Sequence, residues 1–116
     1  MSVLNTFSGK KFDPMHMNSE DVSLEDLAHA LSLLCRGGGH LQYFYSVGQH
    51  SINCMKEARA RGWSKRIQLV CLLHDASEAY IADIIRPVKV HLSEYYKIES
   101  KIMDCILEKF GLDDLS

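Results

Sequence analysis

Between Ile67 and Leu73 the sequence is apolar nearly all round, and directly after it come His74, Asp75, Ser77 and Glu78, with Asp83 a little further on. A helix of this kind belongs in the middle of a fold, because it has no polar face to turn toward water. Ser64 is a good N-cap, so the spacing predicts a helix that starts there and continues to about Tyr80. Such a helix carries a histidine and two acids straight off the end of an apolar core segment. An ionised group buried without a partner costs on the order of several kcal/mol. A chain built round this segment must pack other helices about it and supply something for the acids to meet.

The rest of the sequence supplies the helices. Ser23 is an N-cap with Asp26 at the capping-box distance, and Leu24, Leu27, Ala28, Leu31 and Leu34 follow a 3.6-residue period. "RGGGH", Arg36 to His40, ends that helix; its glycines permit backbone geometries that other residues resist and allow another group to approach closely. A second helix runs from about Ser46 to Arg61, stopped by Gly62, with Val47, His50, Cys54, Met55 and Ala58 on its inner face. Pro87 breaks the pattern after Ile85 and Arg86. A last amphipathic helix runs from about Ser93 to Phe110, with Ile98, Ile102, Cys105, Ile106 and Phe110 inward and Gly111 at its C-cap. Residues 1–22 are irregular, with a short extended piece near Leu4 to Phe7, and no segment has the period of a strand in a real sheet. The expected architecture is one all-α domain over residues 1–116, a bundle of about four to six helices behind an irregular N-terminal segment.

Composition removes several function classes. A net charge of -2 argues against a protein that binds nucleic acid by neutralising its backbone, and no continuous basic stripe is present. The basic run "KEARARGWSKR", Lys56 to Arg66, reads as a solvated corner. Cys35, Cys54, Cys71 and Cys105 lie among apolar residues without C-x-x-C spacing, so four reduced and mostly buried thiols are expected. There is no signal peptide, and no apolar run approaches the roughly 18 residues of a membrane span. The cytoplasm is the expected compartment.

The chemistry gathers at one place. On a helix His74 and Glu78 share a face, while Asp75 sits about 100° round from His74. His74 and Asp75 can therefore converge on one ion only at a special spot, such as a helix end facing another helix. His50 points inward from the preceding helix, and the short connection makes the two helices neighbours. One imidazole from one helix, with an imidazole and a carboxylate from the next, would form a three-ligand site. Nitrogen and oxygen ligands with open positions suit Mn²⁺, Co²⁺, Fe²⁺ or Zn²⁺. The residues alone leave a second account open, since an inward histidine is commonly a hydrogen-bonded core residue and an HD dipeptide occurs by chance.

The ordered motifs add to this. "YSVGQHS" (Tyr45 to Ser51) and "LLHDASEAYIADIIRPVK" (Leu72 to Lys89), with "GKKFDP" and "LEDLAHALSLLCRGGGH" upstream, resemble the HD-domain metal-dependent phosphohydrolase superfamily. More narrowly, the chain is similar to small bacterial and phage HD hydrolases related to the 5'-deoxynucleotidases, over nearly its whole length. The resemblance implies an HD-domain-like helical bundle that hydrolyses a nucleotide or a similar phosphomonoester with a metal-activated water. It implies His50, His74 and Asp75 as ligands of one divalent ion, with Mg²⁺ added to the candidates above. It implies Glu78 as the acid that orients or deprotonates the attacking water and Asp83 as a second catalytic acid near the leaving group. Arg36 matches the arginine that meets the substrate phosphate, and His40 and Lys89 lie in segments that add phosphate or sugar contacts.

The implied partner is a small phosphorylated substrate, with no membrane and no stably bound nucleic acid. Hydrolases of this kind often pair, so a homodimer is compatible with the resemblance. Two departures stand out. The superfamily takes its last aspartate ligand from a later helix, and Asp104, Asp113 and Asp114 sit in the wrong context for it. The resemblance therefore implies either three protein ligands with water or a chain shorter than its relatives. Its alternative is an HD-fold module that binds nucleotide or metal without turnover. Ala82 stands where relatives often carry glycine. Tyr95 and Tyr96 in "EYYK" read either as an aromatic shelf for a base or as ordinary packing. His29 reads as a group supporting the site or a packed helix residue, and His16 and His91 as exposed.

Overall fold

A computed structural model describes residues 3–115. In chain order the elements are β1 (Leu4–Asn5), β2 (Lys11–Phe12), α1 (Leu24–Leu33), α2 (Val47–Ala60), α3 (Lys65–Leu73), α4 (Glu78–Ile81), α5 (Arg86–Lys89) and α6 (Ser93–Lys109), with single 3₁₀ turns at Ser19–Asp21, Arg36–Gly39 and Asp113–Leu115. The all-α expectation holds. Among the described residues the only sheet is a two-residue antiparallel ribbon in the N-terminal segment, pairing Leu4 with Phe12 and Asn5 with Lys11.

That N-terminal segment is irregular but anchored. Asp26 is 3% exposed and accepts the Ser8 N–H at 2.7 Å and the Ser8 hydroxyl at 2.9 Å. Ser23 caps α1 as expected, its hydroxyl accepting from the Asp26 N–H at 3.3 Å. The Asp26 carboxylate, however, does not complete a capping box. It is taken by the two Ser8 donors, while the Ser23 N–H donates to the Tyr80 hydroxyl at 3.4 Å instead. Phe12 then enters the core beside Tyr80, their ring centroids 4.9 Å apart.

The core gathers Val22, Leu27, Leu31, Val47, Ala76, Tyr80, Ile102, Ile106 and Leu112. The inner face read for the last helix is the one that packs: Ile102 and Ile106 are fully buried, and Ile98, Cys105 and Phe110 pack against them. α2 begins tightly against the end of α1. The Ser46 side chain caps it through the Gln49 N–H, and the Val47 N–H donates to the Leu34 carbonyl at 2.8 Å. Gly48 makes this crossing fit, since a Cβ there would stand 3.3 Å from the Leu31 carbonyl carbon and oxygen.

The segment from Ser64 to Tyr80 differs from expectation in two ways. It is not one helix: α3 stops at Leu73, the chain turns through residues 74–77, and α4 begins at Glu78. Nor is α3 central. Of its residues only Leu73 is buried, while Ile67 and Leu69 are each 37% exposed. A helix apolar on all sides has no pattern to say which side packs, and here α3 lies along α2 with its other flank open. Ala76, Tyr80 and α6 provide the burial assigned to it. Pro87 also acts differently: it lies in the first turn of α5, where its missing N–H costs no helical hydrogen bond.

Candidate metal centre

The break after Leu73 is what brings the polar residues together. His74 is the C-cap of α3, and the turn that follows is held by Ala76 N–H to the Leu73 carbonyl at 2.9 Å and Glu78 N–H to the Asp75 carbonyl at 3.0 Å. The chain thus tightens from α-helical to i→i+3 bonding at His74 and Asp75. Asp75 Oδ2 lies 3.1 Å from His74 Nε2 and 3.5 Å from His50 Nε2. The two imidazoles, one from α2 and one from the end of α3, meet edge to face with centroids 5.5 Å apart. A tetrahedral ion bound at about 2.0–2.2 Å to nitrogen and oxygen has donor–donor edges of about 3.4 Å. The two Asp75 separations match such edges.

His74 is oriented by its own helix. Its Nδ1 lies 2.7 Å from the Cys71 carbonyl, which can only accept, so Nδ1 carries the proton and Nε2 of the neutral ring keeps its lone pair for an ion, donating to Asp75 only when the ring is doubly protonated. The hydrogen bond to Asp75 raises the His74 pKa despite partial burial, and the same bond holds the Asp75 carboxyl below its ordinary range. Burial, then the Arg36 charge, lowers the His50 pKa. A lowered pKa favours neutral His50, the form a metal ligand needs.

Glu78 occupies the first position of α4 and is 8% exposed. Burial, then the Asp75 and Asp83 charges, pushes its carboxyl up to about 8. Asp83 is fixed by the Gly37 N–H, which donates to Oδ2 at 3.2 Å. This contact explains the glycine run. Gly37 and Gly38 both have φ of 64°, and a Cβ on Gly38 would stand 3.3 Å from the Ile85 side chain. The turn can therefore fold onto the chain between α4 and α5, and it carries Arg36 with it.

Asp75, Glu78 and Asp83 line one cleft of about 390 Å³ with Arg36, Arg86, Lys89 and Tyr96. The cleft is acid on one part of its wall and basic on another. Lys89 is ion-paired with Glu99 at 3.1 Å and lies 5.4 Å from the centre of each of the Tyr95 and Tyr96 rings. Among the described residues no carboxylate lies within ion-pair distance of Arg36 or Arg86.

Of the residues singled out in the sequence, His50, His74, Asp75, Glu78, Asp83, Arg36 and Lys89 come together here. His40 does not: it is exposed at the end of the glycine turn and is absent from the cleft wall. The two tyrosines divide, Tyr95 donating to the Ala82 carbonyl at 3.0 Å and Tyr96 lining the cleft. His29 stacks on Phe7 at 3.6 Å, on the N-terminal segment. Asp104 is exposed on α6 and Asp114 pairs with Arg66, so neither joins the centre. The basic corner is solvated, with Arg61 bound to Glu57 and stacked over Trp63.

Two residues of the site escaped the sequence reading. Arg86 lies three positions before Lys89 on the short α5, a spacing that puts both cations on one side of a helical turn. Cys54 lies four residues after His50 on the inner face of α2, with Sγ 3.6 Å from His50 Nε2. All four cysteines are free and half-buried rather than mostly buried. Among the described residues no helix is long and apolar enough to cross a membrane.

No family model matches the chain. It is 42% identical over 112 residues to the uncharacterized protein YfdR of Escherichia coli strain K12, a match covering 97% of this chain and 60% of that protein. It is 34% identical over 111 residues to the uncharacterized protein RCAP_rcc00048 of Rhodobacter capsulatus, covering 90% of this chain and 56% of that protein. The chain thus spans little more than half the length of these two relatives.

Proposed function

We propose that the chain is a metal-dependent phosphohydrolase of the HD-domain type, acting on a nucleotide or a similar phosphomonoester. The observation that carries this reading is the convergence of His50, His74 and Asp75, with donor separations of 3.1 and 3.5 Å, beside a cleft that also holds Arg36, Arg86 and Lys89. Three acids and three cations facing one cleft match the needs of a divalent cation and a phosphate anion together.

His50, His74 and Asp75 would hold the ion, whose bound form acidifies water and neutralises charge on a phosphoryl oxygen. Glu78 accepts the proton of the attacking water once a cation beside Asp75 offsets the burial and the carboxylate charges that otherwise hold its carboxyl up at about 8. Arg36 presents a planar fork to two phosphate oxygens, with Arg86 and Lys89 adding charge as negative charge builds up. Asp83, held by the Gly37 amide, stands on the same wall and would relay to the departing alkoxide the proton that Glu78 takes from the water. The exposed ring of Tyr96 offers a stacking face to a base or sugar.

The test is phosphate release from a panel of nucleoside monophosphates by protein reconstituted with Mn²⁺, Co²⁺, Fe²⁺, Zn²⁺ or Mg²⁺, with metal content measured in parallel. Turnover that disappears in Asp75→Ala supports the proposal. No phosphate release together with no retained metal overturns it. Retained metal and bound nucleotide without turnover would make the chain a binding module instead.

A further inference from the structure

We infer that Cys54 is a thiolate ligand of the ion held by His50 and His74, adding one sulfur to their two nitrogens. The inference rests on the metal centre proposed above and adds the donor that determines which ion it takes. His50 and Cys54 are four residues apart on α2, so one helical turn sets both donors on one face. The Sγ lies 3.6 Å from His50 Nε2, and donor atoms of His50, Cys54 and His74 all lie within 4.8 Å of one another. An ion bound to sulfur at about 2.3 Å and to nitrogen at about 2.05 Å in a tetrahedron separates those two atoms by about 3.5 Å. The 3.6 Å separation matches that edge, with Nδ1 of the same ring at 3.9 Å. Donor atoms of His50, Cys54 and His74 thus gather at one place, and Asp75 Oδ2 lies 3.5 and 3.1 Å from the two histidines.

Coordination releases the thiol proton to solvent and leaves a sulfur anion on the ion. An ion so held would take water as a further ligand. The consequence is selectivity. A site of imidazole and carboxylate alone accepts Mg²⁺ and Mn²⁺ readily, whereas a thiolate favours Zn²⁺, Co²⁺ and Fe²⁺.

Cobalt reports the sulfur directly, because a thiolate bound to Co²⁺ gives an intense near-ultraviolet charge-transfer band that nitrogen and oxygen ligands do not. The full chain loaded with Co²⁺ is expected to show that band. Cys54→Ser should lose it while still binding cobalt, and Cys71→Ser should keep it. His50→Ala should lose band and metal together. Zn²⁺ affinity should fall in Cys54→Ser by more than the roughly 10–100-fold that loss of a supporting partner costs, with Mg²⁺ affinity unchanged. X-ray absorption at the zinc edge of the unaltered protein needs no variant and should read one sulfur neighbour. Cobalt bound without the band, a band that survives Cys54→Ser, or a zinc shell without sulfur overturns the role of Cys54 and leaves the metal centre standing. A protein that retains no metal at all overturns both.

Discussion

Replacing Glu78 by Gln is expected to change how stability depends on pH. Glu78 is 8% exposed, and its carboxyl is pushed from an ordinary 4.5 up to about 8 by burial, then by Asp75 and Asp83. A folded-state pKa above the unfolded one means that the folded chain keeps a proton the unfolded chain has lost. Stability from this group is therefore complete below 4.5, declines between 4.5 and about 8, and is level above that. The window spans roughly 3.5 pH units, and at about 1.36 kcal/mol per unit the ceiling is about 5 kcal/mol. The cleft is open to water, which screens part of the repulsion, so a loss of about 2–3 kcal/mol is expected. Gln keeps the shape and carries no charge at any pH. Urea unfolding of metal-free protein, followed by circular dichroism, should give nearly equal stabilities for wild type and Glu78→Gln near about pH 5. By about pH 9 the variant should be the more stable by about 2–3 kcal/mol. Adding Zn²⁺ should flatten the wild-type slope, since a cation beside Asp75 removes much of the repulsion. Parallel curves for the two proteins across this range would refute the claim that the fold resists an ionised Glu78.

Ala82 has φ of 66° and ψ of 172°, a region nearly reserved for glycine, so Ala82→Gly should relieve about 1–3 kcal/mol of strain and return about 0.5–1 to chain entropy. A rise of a few degrees in Tm is the expected reading, and a fall would refute the strain. Gly48→Ala should destabilise by about 1–2 kcal/mol in chemical denaturation, because the helix propensity gained is outweighed by a Cβ pressed 3.3 Å from α1 backbone. An unchanged midpoint would mean that α1 can give way. Asp26→Asn should cost about 1–3 kcal/mol near neutrality. Burial raises the Asp26 pKa, but the hydrogen bonds from Thr6 and Ser8 more than offset it and hold the carboxyl below 3.8. Its contribution is therefore present above 3.8 and lost as pH falls through the depressed value, so the difference between the proteins should vanish in strong acid.

Much of the helical frame could be read from the chain, because Ser23, Ser46 and Ser64 cap helices where hydroxyls meet orphan amides, and Ile102 and Ile106 recur at helical spacing. Most of the candidate site residues were visible too, but what brings them together is not contained in sequence spacing alone. His74 and Asp75 meet at one point because α3 ends there, and nothing between Leu73 and Glu78 is a glycine or proline that would announce a stop. Tertiary packing of Ala76 and Tyr80 decides it. The depth of α3 was misjudged because an all-round apolar sequence gives no direction. Asp26 was read through its nearest local partner, whereas its real partner, Ser8, is 18 residues away. Cys54 was passed over as a hydrophobic residue, although its position one turn after His50 is a chelating spacing.

The exposure of α3 has a consequence for folding linkage. His74 sits at the end of a helix that buries only Leu73, so half of the proposed centre rests on an element with little apolar anchorage of its own. Such elements open locally at a fraction of the global unfolding free energy. An ion shared by His50 and His74 would tie two points 24 residues apart on the α2–α3 hairpin. Treated as a cross-link, it removes about 3.5 kcal/mol worth of freedom from the open chain. Occupancy of the centre and closure of α3 onto α2 would then be one equilibrium: the ion is the clasp of the hairpin as well as its chemistry.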